Sequence, residues 1–221
     1  MAHTKRIPGG FFITLEGPEA AGKSTQLTRL AAALETRGYS VHRTREPGGT
    51  PLGEEVRKLV KHFGGPHSIC AASELLLFGA SRAQLMHETI QPALQQGAVV
   101  LCDRFADSTT VYQGIARRLD LAFIRQMHRL TTAGRMPDLT LLLDVDRRTS
   151  LARQHLRNGD RQAKDRFEAE QDAFHHLVRE GFRQLARQEP QRIKRINADR
   201  PATDVHRNIM DIVNRGLEDV S

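Results

Sequence analysis

Residues 16–25 read EGPEAAGKST, and the reading of this stretch decides the fold. From Gly17 to Ser24 it fits G-x-x-x-x-G-K-[ST], the spacing of a phosphate-binding loop. Its flanks agree. Residues 11–15, FFITL, are a short apolar, aromatic and β-branched run, expected as a buried strand. Residues 23–37 put Leu27, Leu30, Ala31 and Leu34 on one helical face, and Gly38 stops the helix. Without that strand–loop–helix context, the same residues would read as a glycine-containing helix start with a surface lysine. With it, the glycines let the backbone turn its N–H groups inward, and the helix N-terminus adds partial positive charge. Gly17, Pro18, Glu19, Ala20, Ala21, Gly22, Lys23, Ser24 and Thr25 are then the stretch that binds a nucleoside triphosphate. Lys23 can reach the β- and γ-phosphates, and Ser24 can ligate Mg²⁺. Glu19 is out of place in such a loop, because a carboxylate there repels phosphate.

Outward from the loop, strands and helices alternate. Residues 39–46 (YSVHRTRE), 98–103 (AVVLCD), 137–145 (PDLTLLLDV) and 191–198 (QRIKRINA) read as four further strands. Helices are expected over 53–60, over a long stretch from 71 that is disturbed near Pro92 and ends at Gly97, over 106–134, over 147–190 with an interruption near RNGDRQAK, and over 203–217. Alternation of this kind implies βαβ units and an α/β fold, a parallel sheet covered on both faces. Residues 153–166 lack a core pattern, are rich in arginine and read as a lid. In a parallel sheet, ligands sit beyond the carboxyl ends of the strands. Lys23, Arg45, Asp103 and Arg104 all fall at that edge. Two arginines beside a phosphate loop point to a second anion, although either alone could be a surface ion pair. Asp103 stands where a Walker-B-type acid would stand, suited to hold Mg²⁺ through water.

Composition narrows the class. The chain has 221 residues, 39% of them hydrophobic and 27% charged, most simply one domain spanning 1–221 with the lid at about 150–166. No apolar run approaches the length of a membrane span, and the N-terminus lacks a signal-peptide pattern. Cys70 and Cys102 make no disulfide framework, so a cytoplasmic protein is expected. The net charge of +7 is spread among acids. Its densest cluster, residues 192–195, has no interleaved aromatics and reads as a solvated face rather than a nucleic-acid patch.

The segments LCDRFADSTTVYQG, REPGGTPLGE, LLFGASRAQ and MPDLTLLLDV occur in an order and spacing that resemble the thymidylate kinase family over nearly the whole chain. The resemblance implies a P-loop nucleoside-monophosphate-kinase fold with a five-stranded parallel sheet. It implies phosphoryl transfer from ATP to dTMP with Mg²⁺, and a homodimer. By resemblance Arg45 and Arg104 grip the dTMP phosphate, Phe78 stacks on thymine, Arg82 donates to a thymine carbonyl and Thr109 reaches the base edge. Tyr112 packs on the deoxyribose where a 2′-OH would clash, and Gln113 lines the same pocket. Glu19 lies near the acceptor sugar, so the carboxylate would serve the second ligand, not the first. Ala20 occupies the loop position where some members carry an arginine. The charge is therefore expected from the lid, with Arg153 and Arg157 one helical turn apart and Arg161 and Arg166 beyond. From the residues themselves, Phe78 and Arg82 are four apart on a predicted helix and share a face, and without the resemblance the plainer reading, Phe78 in the core stripe and Arg82 exposed, is the favoured one.

No general base is needed, because the acceptor is already an anionic oxygen. The difficulty is to bring about six negative charges together, and Lys23, Arg45, Arg104, Mg²⁺ and the lid arginines would offset them. Three other readings stay open on the residues alone. One is the same chemistry on another nucleoside or nucleotide, one is a P-loop switch without an acceptor, and one is a nucleic-acid-dependent NTPase.

Overall fold

Every residue of β1 (Phe11–Glu16) is buried, because the strand lies in the middle of the sheet. The computed structural model describes residues 5–63, 69–158 and 165–220, the side chains of 157 and 158 apart. The other strands are β2 (Val41–Arg45), β3 (Val99–Asp103), β4 (Leu139–Asp144) and β5 (Ile193–Asn197). They pair in the order β2-β3-β1-β4-β5, all parallel. Their register sets the active edge: Leu15 stands beside Asp103, and Asp103 beside Arg45. One row across three strands thus brings the start of the phosphate loop, the acid and an arginine to the same end.

Side chains alternate across the sheet, as a strand's period of two requires. On one face Phe11, Ile13 and Leu15 pack with Leu27, Leu30 and Leu34 of α1 (Lys23–Thr36) and with Val205, Ile209 and Val213 of α9 (Ala202–Glu218). On the other, Phe12, Val100 and Cys102 meet Leu85 of α3 (Ala71–Leu85) and Phe105. Leu142 meets Phe174, Val178 and Phe182 of α8 (Asp172–Gln188).

Among the described residues the remaining α-helices are α2 (Pro51–His62), α4 (Gln91–Gln95), α5 (Ala106–Thr109), α6 (Leu121–Thr131) and α7 (Arg147–Asn158). Helix α2 begins two residues before the expected 53, because the Thr50 hydroxyl accepts from the Gly53 N–H and Pro51 suits the first turn. The long helix expected from residue 71 is three pieces. A π-helical turn, Met86–Ile90, separates α3 from α4, which carries Pro92 in its first turn. A second π-helical stretch, Thr110–Ala116, follows α5 and divides the helix expected over 106–134. Among the described residues no helix is long and apolar enough to cross a membrane.

Candidate active site

The phosphate loop is held close to β4. Gly17 has φ 138, and a Cβ there would meet the Leu143 carbonyl oxygen at 2.3 Å, so only glycine fits. Lys23 curls back over the loop and donates from Nζ to the Pro18 carbonyl at 2.8 Å and the Gly17 carbonyl at 3.2 Å. Burial, with the Arg104 charge next in weight, pushes its ammonium down to about 8. The ammonium is still charged near neutral pH, and an arriving triphosphate would raise it again. The Ser24 hydroxyl donates to Asp103 Oδ2 at 2.7 Å. Among the described residues no three His, Cys, Asp or Glu side chains cluster to hold a metal by themselves. The Ser24–Asp103 pair does fit Mg²⁺, which takes a few protein oxygens and completes its shell with water and phosphate.

Arg104 is bound on several sides. It adopts φ 71, uncommon for a residue with a Cβ. Its Nη1 donates to the Gly17 carbonyl at 3.0 Å and to the Ser108 hydroxyl at 3.1 Å, and its guanidinium lies 5.2 Å from the Tyr112 ring centroid. Nη2 donates to Glu19 Oε2 at 3.3 Å. The carboxylate that looked misplaced in the loop therefore points to the guanidinium. Burial alone would raise the Glu19 carboxyl, but Arg104 and Lys23 outweigh it and hold it below its usual range.

Beneath this layer lies Glu16, which no motif singles out. It accepts from the Phe105 N–H at 2.7 Å, the Ser108 N–H at 3.2 Å and the Ser108 hydroxyl at 2.6 Å, and so fixes the turn carrying Arg104. Burial, reinforced by Asp107, pushes its carboxyl up to about 7 from 4.5. A proton held more tightly in the folded state stabilises it fully below the unfolded value, and that contribution is lost as pH rises through about 7. Glu16→Gln is expected to flatten this part of the stability profile, read as urea midpoints at pH 4.5 and pH 7.

Lys23, Ser24, Arg45, Asp103 and Arg104 line one cavity of about 1070 Å³, together with Glu19, Phe78, Arg82, Thr109, Tyr112, Gln113 and Arg153. The expected convergence at the sheet edge is therefore real. Arg45 occupies its rim: 51% of its side chain is exposed, and Nη2 donates to both Glu54 oxygens at 2.8 and 2.9 Å. Arg57 was not expected there. It lines the same cavity from α2, donates to the Pro47 carbonyl at 3.0 Å, and is lowered from its ordinary value by burial and then by Arg45. Its signal in the sequence is weak: it follows the inward-facing Val56 on α2.

At the far end, Arg82 is neither exposed nor simply a donor to a ligand. Only 1% of its side chain is accessible. It chelates Glu46 through Nε and Nη2 at 2.8–3.1 Å, donates from Nη2 to Thr109 at 2.6 Å, and from Nη1 to His128 Nδ1 at 3.3 Å. Of its five N–H groups, these contacts leave one on Nη1. Burial and the Arg82 charge push His128 down to about 3, so it is neutral, and its Nε2–H donates to Thr110 at 2.9 Å. Gln113 donates to the buried Glu74 at 2.8 Å. Phe78 and Tyr112 face Phe167, with ring centroids 6.1 and 6.0 Å away.

Of the lid arginines, Arg153 lines the cavity and donates to the Ala198 carbonyl at 2.9 Å. The Arg157 side chain and Arg161 lie outside the described residues. Arg166 does not reach the cavity. Its guanidinium is spent on the Val60 carbonyl at 2.8 Å and on Glu74 at 3.0 Å.

A triphosphate cradle at one end of a cleft, guanidinium groups in the middle and an aromatic slot at the other end suit a donor nucleotide and an acceptor that itself carries a phosphate. On a parallel sheet of this order, that is the class of P-loop nucleoside-monophosphate kinases. The thymidylate kinase family model matches residues 15–209. Thymidylate kinase of Syntrophotalea carbinolica is 49% identical over 191 residues, covering 86% of this chain and 88% of that protein. Thymidylate kinase of Deinococcus radiodurans is 48% identical over 200 residues, covering 90% and 94%. The crystal structure of thymidylate kinase from Ehrlichia chaffeensis superposes with a TM-score of 0.75 at 34% identity, covering 94% of this chain and all of that one. The chain belongs to the thymidylate kinase family, the ATP-dependent kinases that convert dTMP to dTDP.

Proposed function

We propose the following division of labour for the transfer of the γ-phosphoryl group of ATP to dTMP. Residues 17–25 wrap the donor phosphates with backbone N–H groups. Lys23 leaves the Pro18 carbonyl and follows the γ-phosphoryl as it moves. Ser24 and Asp103 are the residues that would hold Mg²⁺, which would supply positive charge against the donor phosphates. Arg104 and Arg57 grip the acceptor phosphate from inside the cleft and Arg45 grips it from the rim. Phe78 stacks on thymine, and the remaining Nη1–H of Arg82 meets a base carbonyl. Thr109 and Gln113 line the base edge, and Tyr112 packs on the deoxyribose. Glu19, oriented by Arg104, receives the acceptor sugar's hydroxyl. Arg153, with Arg157, brings positive charge from α7, which is the base of a lid within one kinase domain.

The single observation that carries this reading is that Lys23, Arg57, Arg104, Phe78 and Tyr112 line one cavity. A switch protein would need no such acceptor half. The enzyme is read as a cytoplasmic homodimer without nucleic-acid or membrane partners. Exposed Leu76 on α3 and Phe123 and Leu130 on α6 support a partner subunit on that side.

The test is ADP release with ATP and Mg²⁺ against dTMP, dUMP, UMP, CMP, AMP and GMP. Turnover of dTMP is expected to exceed that of every ribonucleotide by at least about a hundredfold in kcat/KM. Equal turnover of ribonucleotides would break the role of Tyr112. ADP release that ignores the acceptor would replace the kinase reading with that of a switch.

A further inference from the structure

Three rings wall the acceptor end of the cavity: Phe78 from α3, Tyr112 from the π-helical stretch, and Phe167 from the segment between α7 and α8. The third is unexpected, because residues 165–171 form turns and carry no helix or strand of their own. Such a segment would ordinarily be a poor platform for a binding ring. Here it is fastened at several points. Asp165 accepts from the Phe167 N–H at 2.9 Å and the Glu168 N–H at 3.0 Å, and pairs with Lys61 at 2.8 Å. The Arg166 N–H donates to the Lys61 carbonyl at 3.2 Å. The Arg166 guanidinium holds the Val60 carbonyl and Glu74.

Glu74 is the common partner. Its side chain is 0% exposed, and it accepts from Gln113 Nε2 at 2.8 Å, from Arg117 Nε at 2.6 Å and Nη2 at 3.1 Å, and from Arg166 Nη2 at 3.0 Å. Each of the three rings is one step from it. Phe78 is four residues along the same helix and shares its face. Tyr112 precedes Gln113, and Phe167 follows Arg166. The guanidinium of Arg117, gripped by Glu74, also lies 5.9 Å from the Phe167 centroid.

We propose that Phe167 is a specificity-determining wall of the acceptor site, in contact with the nucleoside of the monophosphate, and that Glu74 is the positioning residue that spaces all three rings. This rests on the kinase reading above and adds to it the residues that fit the slot to a flat base on a deoxyribose. A stretch of chain with no regular structure can serve a binding site because one buried carboxylate ties it to both other walls.

The test is steady-state kinetics with dTMP and ATP varied separately. Phe167→Ala is expected to raise KM for dTMP about tenfold while KM for ATP stays within about twofold. Phe167→Leu is expected to restore most of that loss. Glu74→Gln is expected to raise KM for dTMP in the same sense. In the double variant the two effects should combine to well below their product, as residues acting through one path do. If Glu74→Gln does not fold, the two Phe167 variants decide the matter alone. KM for dTMP unchanged in Phe167→Ala, or KM for both substrates raised equally, would overturn the proposal. A wild-type chain that neither binds nor phosphorylates dTMP would instead overturn the kinase reading, and would be seen before any variant is made.

Discussion

Arg104→Ala is expected to lower kcat/KM for dTMP about a thousandfold, more than loss of a single ion pair at an exposed site. The guanidinium is not a loose surface charge. It is stacked near Tyr112 and hydrogen-bonded to the Gly17 carbonyl and the Ser108 hydroxyl. Its cost of ordering is therefore already met before substrate arrives, and its fork can meet two phosphate oxygens at once. Removing it strips charge from the acceptor phosphate, frees Glu19 from its partner and leaves that carboxylate facing an anion. Arg104→Lys keeps the charge but loses the fork, and is expected to recover only part of the activity. The kcat/KM values of the two variants, measured with dTMP at saturating ATP, check this. A loss below about tenfold for Arg104→Ala would remove Arg104 from the clamp.

Lys23→Met is expected to lower kcat about a thousandfold while leaving KM for dTMP nearly unchanged. Methionine keeps the unbranched apolar length and removes the charge. The ammonium rests on two loop carbonyls, Pro18 and Gly17, so the loop holds its cation in place until phosphates replace those oxygens. In the transition state the charge is spread over the transferred group, where a mobile point charge is most valuable. The split between kcat and KM matters, because the proposed division of labour gives Lys23 to the donor and Arg104 to the acceptor. A variant that raised KM for dTMP and spared kcat would reverse the assignment. Single-turnover mixing of enzyme, ATP and dTMP separates the chemical step from release.

The two residues differ in how they could be found. Lys23 is legible in sequence because its role depends on neighbours in the chain. A strand must end, glycines must turn and a helix must begin, all within residues 11–36, and each of these leaves a local pattern. Arg104 is legible through its place at the end of β3. Arg45 at the end of β2 was as legible and reaches the same edge, yet it stands on the rim against Glu54. Arg57 is nearer the interior and has no strand end to mark it. Arg166 shows the same limit from the other side. An arginine in a lid-like stretch looks free to reach phosphate, but a buried carboxylate from α3 claims it.

The amino-acid sequence alone determined the α/β class, the five strands, the phosphate loop and the edge at which ligands gather, because each of these follows from spacings of a few residues. Only the tertiary structure decided the order β2-β3-β1-β4-β5, the burial of Arg82 against Glu46, and the tie that Glu74 makes among Gln113, Arg117 and Arg166. The reason is physical. A long cationic side chain goes to whichever carboxylate lies within its reach in space, and which one that is depends on elements far apart in the chain that meet only when the sheet has closed.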